Sequence, residues 1–282
     1  KKTSIVRTVG EWNDLELDVA FVIVERYSCN EMELSVLNVS RLTSLQELSI
    51  GDYCFENVKE LRLVGLSGLK RVEIGSSSFS EKSGVLSLKE CERVEALTIG
   101  DGSFSAFTSF EVEGVPLLGE LSVGSECFSG VSELKLEALS GLKKVEIGSD
   151  SFTNKEGDFS LRNCSALTEL RVGGGSMRLF RSVAIADVPS LKEIDIGSGC
   201  FESVSELGLI GLSGLESVVI GENSFTKKKN GFGKESNRRF YVKNCPSLRE
   251  LRIGRYSFSD YASAVIEGND ALEVIAMGEL SQ

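Results

Sequence analysis

At 282 residues, 41% hydrophobic and 26% charged, the chain has the composition of a folded protein with a substantial core and not of a disordered one. Its net charge of −11 argues against nucleic acid as a general partner, because phosphate binding needs a basic face. The absence of histidine removes Ser-His-Asp and Cys-His nucleophiles and the histidine-containing zinc sites, leaving carboxylate or lysine chemistry as the routes open to a catalyst.

The first 18 residues, with the single Trp12, carry no internal pattern and are expected to cap an exposed end of the regular region that begins at Val19. They open Lys1-Lys2-Thr3-Ser4 without an apolar h-region, so no signal peptide is read there. No run approaches the roughly 20 apolar residues of a membrane span. From Val19 onward one template recurs. Its starts fall at Val19, Leu45, Leu69, Val94, Leu118, Leu142, Leu167, Leu191, Leu215, Leu248 and Leu272, usually 24 or 25 residues apart.

Each unit holds two short apolar segments. The first reads L-x-x-L-x-I-G, as at Leu45, Leu48, Ile50 and Gly51, and its last apolar pair has the spacing of a strand. The glycine is expected to permit a turn, and a small residue then precedes phenylalanine, as in Ser78-Phe79 and Ser151-Phe152. The second segment, as at Leu61, Leu63 and Leu66, reads as another short strand followed by an inward residue. No unit carries a helical period, so each predicts a coil of two strands and two turns. Stacked coils share a core that no coil could bury alone. Phe55, Phe79, Phe104, Phe128, Phe152, Phe201, Phe225 and Phe258 are expected to form a buried aromatic column, with Cys29 and Met177 in the same register. A longer period lies over the short one: Gly65–Leu69, Ala138–Leu142 and Gly211–Leu215 match at intervals of 73 residues, as do Cys54, Cys127 and Cys200.

These units resemble leucine-rich repeats, specifically the BspA-type subclass with its I-G-x-x-[AS]-F signature, over roughly residues 19–278. Asn163-Cys164 and Asn244-Cys245 resemble the Asn/Cys position of leucine-rich repeats generally. The predicted fold is therefore a mainly β solenoid of about eleven coils with parallel sheets and few or no helices, spanning 19–282, with its last coil incomplete. The resemblance implies recognition of other proteins, often in adhesion or immune-type settings, and assigns no ligand.

Seven cysteines, an odd number, occupy slots several coils apart. Bridging needs Cα atoms within about 7 Å, so they read as core thiols and not as a disulfide framework or a zinc cluster. Unpaired thiols lean towards an intracellular setting, with the cell surface as the alternative. No cofactor is expected: Gly173-Gly-Gly175 comes after a strand but lacks both the phosphate-loop lysine and a helix start.

Candidate partner-binding residues come from two places. The first-strand position between the last two apolar residues should face solvent, giving a polar stripe that includes Glu73, Glu146, Arg171, Asp195 and Arg252. The second is an insertion at 226–239 that breaks the rhythm. It sets Lys227, Lys228, Lys229, Lys234, Arg238 and Arg239 against Glu235, and reads as a protruding basic loop with Phe232 at its tip. Such a loop suits an acidic ligand: a peptide, an anionic headgroup or RNA. The function that fits best is a noncatalytic protein-interaction scaffold; a surface adhesin or recognition receptor, and a structural subunit of a larger assembly, are the alternatives.

Overall fold

A computed structural model describes residues 2–278 and shows a β-solenoid of about eleven turns with parallel sheets and almost no helix. It divides into two compact units, Lys1–Val131 and Ser132–Gln282. In the first, the strands Thr3–Val6, Phe21–Val24, Glu47–Ile50, Arg71–Ile74, Ala96–Ile99 and Glu120–Val123 form one parallel ladder. Val36–Asn38, Glu60–Val64, Val85–Lys89 and Ser109–Glu113 form a second. In the second unit, the first ladder runs through Lys144–Ile147, Glu169–Val172, Glu193–Ile196, Ser217–Ile220, Glu250–Ile253 and Val274–Met277. Two three-stranded ladders accompany it: Glu133–Glu137 with Gly157–Arg162 and Phe180–Ala186, and Glu206–Ile210 with Glu235–Lys243 and Tyr261–Glu267.

Strand alternation decides what is buried. Along Arg71–Ile74, Val72 and Ile74 point inward while Arg71 and Glu73 face water. Along the first ladder neighbouring coils pair without slippage, so Leu48, Val72, Leu97 and Leu121 stand at matching positions. A one-residue slip would turn each apolar set to the solvent, and this holds the register.

The glycine that follows most first strands is not there for a left-handed turn. Gly51, Gly75 and Gly100 have no positive φ; they are required because a Cβ would sit 2.7 Å from Arg26 N, 2.8 Å from Asp52 N and 2.6 Å from Gly75 C respectively. The left-handed residues come two and four positions later. Tyr53 and Phe55, Ser77 and Phe79, and Asp150 and Phe152 all lie at φ of 54–57°. Left-handed backbone is unfavourable for bulky side chains by about 1 kcal/mol or more. Stacking compensates here, because column amides bond to the preceding coil, as Phe79 N does to Cys54 O at 3.0 Å, Phe104 N to Ser78 O at 2.9 Å and Phe225 N to Cys200 O at 2.9 Å.

The aromatic column is present in both units. Phe55, Phe79, Phe104 and Phe128 stack at successive centroid distances of 5.3, 4.7 and 5.5 Å, and Phe201, Phe225 and Phe258 at 5.2 and 4.8 Å. Met177 and Cys29 fill the same left-handed, buried slot. The residue before the phenylalanine bridges two coils. The Ser78 hydroxyl donates to Gly51 O at 2.8 Å and accepts from Cys54 N at 3.0 Å, and Ser224 does the same with Gly197 O and Cys200 N.

The helix Val9–Asn13 begins on Thr8, whose hydroxyl accepts from Glu11 N. It carries Trp12 edge-on to Phe55 at 5.9 Å. Arg41, from a later coil, donates to the Trp12 and Leu15 carbonyls and so ties the end of the short helix to the solenoid.

Candidate functional site

The first ladder of each unit presents its alternate side chains to solvent as predicted. In the first unit the outward row is Ile5, Ile23, Ser49, Glu73, Thr98 and Ser122, in register from strand to strand. In the second it is Glu146, Arg171, Asp195, Val219, Arg252 and Ala276. Charge alternates across the strands there. Arg171 stands between Glu146 and Asp195 and pairs with Glu169 of its own strand at 2.7 Å. Glu169 first, then Asp195 and Glu146, raise its pKa. Lys144 meets Glu146 at 3.4 Å and Arg252 meets Glu250 at 3.1 Å. These exposed pairs are worth about 0–1 kcal/mol each; they shape recognition more than stability.

The structure adds a feature that the repeat pattern does not reveal. Tyr27 and Tyr53 stack on adjacent coils with centroids 5.0 Å apart and planes within 5°. They are 62% and 47% exposed, and both are left-handed. Arg26 lies over the Tyr27 ring at 5.2 Å. Beside them opens a depression of about 540 Å³ whose walls include Ile23, Arg26, Ser49 and Asp52. A sequence signal existed. The slot two residues before the column holds Ser77, Gly102, Glu126, Asp150, Gly175, Gly199 or Asn223 in most other coils, and a third tyrosine, Tyr256, in the coil of Phe258. Bulky tyrosines there stand out only once the slot is known to be left-handed.

The basic insertion differs from expectation in two respects. Residues 235–239 are not loop; they belong to the strand Glu235–Lys243, which pairs with Tyr261–Glu267 across a register shift. Arg238 is withdrawn from the candidate surface, because its side chain is 1% exposed. Its Nε faces buried Asp260 Oδ1 at 3.4 Å, its Nη2 donates to Glu202 O at 2.8 Å, and its guanidinium lies 4.8 Å from the Tyr261 ring centroid. Of the remaining cations, Lys229 pairs with Glu202 at 3.1 Å and Arg239 with Glu206 at 2.7 Å. Lys227, Lys228 and Lys234 are exposed and make no ion pair among the described residues. Phe232 is 80% exposed.

All seven cysteines are buried and unbridged. In the Cys54, Cys127 and Cys200 slot the thiol stands where other coils have the serine hydroxyl. It donates to Glu25 O, Gly100 O and Gly173 O at 3.0, 3.4 and 3.2 Å. Burial pushes the Cys29, Cys127 and Cys200 thiols up to about 12 from an ordinary value of 9.0. These thiols stay protonated in the fold after the unfolded chain has begun to ionise. Their stabilisation is therefore complete below pH 9.0 and is lost as pH rises towards about 12. Urea midpoints measured across that window are expected to fall less steeply for Cys127→Ser/Cys200→Ser than for the parent, since serine keeps the bond to the carbonyl and does not ionise.

Residues 24–157 match the BspA type leucine rich repeat region, in six copies. Over that segment the chain is similar to BspA-type leucine-rich repeats. No curated protein and no solved structure matches. Coils with the same two-strand design occur past the matched segment as far as the strand Val274–Met277, where Ile275 and Met277 are 52% and 56% exposed. Among the described residues, no group of three or more potential ligands is placed to hold a metal ion, and no helix is long and apolar enough to cross a membrane. A leucine-rich repeat solenoid is in general an interaction scaffold.

Proposed function

We propose that this leucine-rich repeat region is a noncatalytic protein-binding scaffold, with its main contact centred on Tyr27, Tyr53, Arg26 and Ile23. The observation that carries this reading is the exposed aromatic stack. Two tyrosines adopt an unfavourable backbone conformation and leave about half of each side chain in water, so packing within the chain gives little in return. Tyrosine and arginine are the side chains that most often dominate protein interfaces, and here they border an open depression with an apolar wall at Ile23. The charged rows of the first ladders would then act on orientation and association rate. The ion pairs along them have no focal point, which is why the reading is binding and not turnover.

The experiment places a photo-crosslinking phenylalanine analogue at position 53, and separately at Lys135 as a control, and identifies captured proteins in extract from the native source. The partner is then titrated against purified protein. Tyr27→Ala/Tyr53→Ala is expected to weaken its binding by about 2 kcal/mol, roughly thirtyfold. Binding of that partner at unchanged affinity to the double variant would remove the tyrosine patch from the interface.

A further inference from the structure

We infer that the loop at 226–234 is a docking tip for an anionic lipid bilayer, with Phe232 entering the interface and Lys227, Lys228 and Lys234 facing the headgroups. The inference does not rest on the tyrosine patch. Three observations carry the inference.

First, the loop is held rigid. Lys227 N donates to Asp260 Oδ2 at 3.1 Å, and Thr226 Oγ1 accepts from Lys228 N at 3.0 Å and meets Ser259 Oγ at 3.0 Å. Asn230 N donates to Asn223 Oδ1 at 2.9 Å while Asn223 Nδ2 donates to Asn230 Oδ1 at 3.2 Å. Gly233 N and Glu235 N reach Ser259 O and Asp260 O. A segment pinned at so many points loses little conformational freedom on binding.

Second, this rigid loop displays an apolar side chain instead of hiding it. Phe232 lies between Gly231 and Gly233, 80% exposed, and touches Tyr256 edge-on at 5.5 Å. It offers a projecting ring and not a recess. A projecting ring suits a deformable lipid surface better than a peptide, which needs a groove or a strand edge to lie in.

Third, the charge is sorted. Of the acids beside the insertion, Glu202 is engaged by Lys229, Glu206 by Arg239, and Asp260 and Glu235 by Arg238, while half-buried Glu222 makes no ion pair among the described residues. What remains for an external partner is three exposed lysines within five residues of one exposed aromatic ring, a pairing of cation and amphipathic anchor that fits the headgroup layer. The negative body of the chain opposes approach, but at about 0.1 M salt its field is screened beyond about 10 Å, while the tip makes direct contact.

Vesicle flotation tests this with the full chain. Vesicles of phosphatidylcholine with phosphatidylserine are expected to carry the protein upward, and vesicles of phosphatidylcholine alone are not. Each of Lys227→Gln, Lys228→Gln and Lys234→Gln should lower the partition coefficient about fivefold, and the triple change on the order of a hundredfold. All four side chains are exposed, so far-UV circular dichroism should be unchanged in every variant. In Phe232→Trp, emission should shift to the blue on addition of the anionic vesicles, above the constant signal of buried Trp12. The idea is overturned by absence of flotation, by flotation that the lysine changes leave intact, or by indole emission that does not move. A blue shift given by a polyglutamate peptide but not by vesicles would also overturn it, and would assign the tip to an acidic protein segment.

Discussion

Phe104→Ala is expected to destabilise the first unit by about 3–5 kcal/mol, the upper range for losing a fully buried aromatic side chain. Phe104 is 0% exposed and touches rings on three sides: Phe79 stacked at 4.7 Å, Phe128 stacked at 5.5 Å and Phe107 edge-on at 4.9 Å. The walls of the cavity are themselves ring faces held by backbone bonds between coils, so they cannot close over it. A solenoid also transmits the loss. Each coil is stable only on its neighbours, and weakening one interface lets the coils on either side open as a group. Hydrogen exchange should therefore show lowered protection at the amides of Phe79, Phe104 and Phe128 together. Phe104→Leu, which keeps most of the volume, should recover much of the loss. An alanine variant with an unchanged urea midpoint would mean that the column contributes far less than its burial implies.

Arg238→Ala carries the second large expected effect, also about 3–5 kcal/mol, for a different reason. Removing the guanidinium leaves Asp260, 0% exposed, as a buried carboxylate facing no cation. Asp260 also holds the loop through Lys227 N, so the charge defect lies at the anchor of the insertion. Two readouts should move together: the urea midpoint falls, and trypsin cuts at Lys227, Lys228 or Lys229 faster than in the parent. Asp260→Asn added to Arg238→Ala should recover part of the stability, because the neutral amide no longer buries an uncompensated charge. If the single variant is as stable as the parent and resists trypsin equally, the Arg238–Asp260 pair is not what organises the insertion.

The insertion also marks the limit of what local sequence can resolve. Its charge was legible, and so was its departure from the repeat. Alternation back from the inward Phe240 and Val242 would put Arg238 inside and Arg239 outside, but only if the strand is known to reach that far. Its extent is decided by pairing with Glu206–Ile210 and Tyr261–Glu267. Without the strand Glu235–Lys243, six basic residues read as one exposed group. With it, one is buried, two are paired and three are left for a partner. Tyr27 and Tyr53 were missed on similar grounds, because their slot is unusual only for its backbone conformation.

Much was settled by the sequence alone. The 24–25-residue spacing, the alternation at Leu48 and Ile50, and the recurrence of small residue plus phenylalanine determined a parallel β-solenoid, its inward set and its aromatic column. These are properties of period, and period is written in one dimension. The tertiary structure decided what depends on the coil next door. It showed that Gly51 and Gly75 are required by backbone approaching within 2.8 Å and not by a turn. It placed phenylalanines in left-handed backbone held by bonds to the preceding coil. It also sorted the basic residues of the insertion into core, paired and available. Contacts between coils join residues 24 to 36 positions apart, and no local rule of propensity reaches that far.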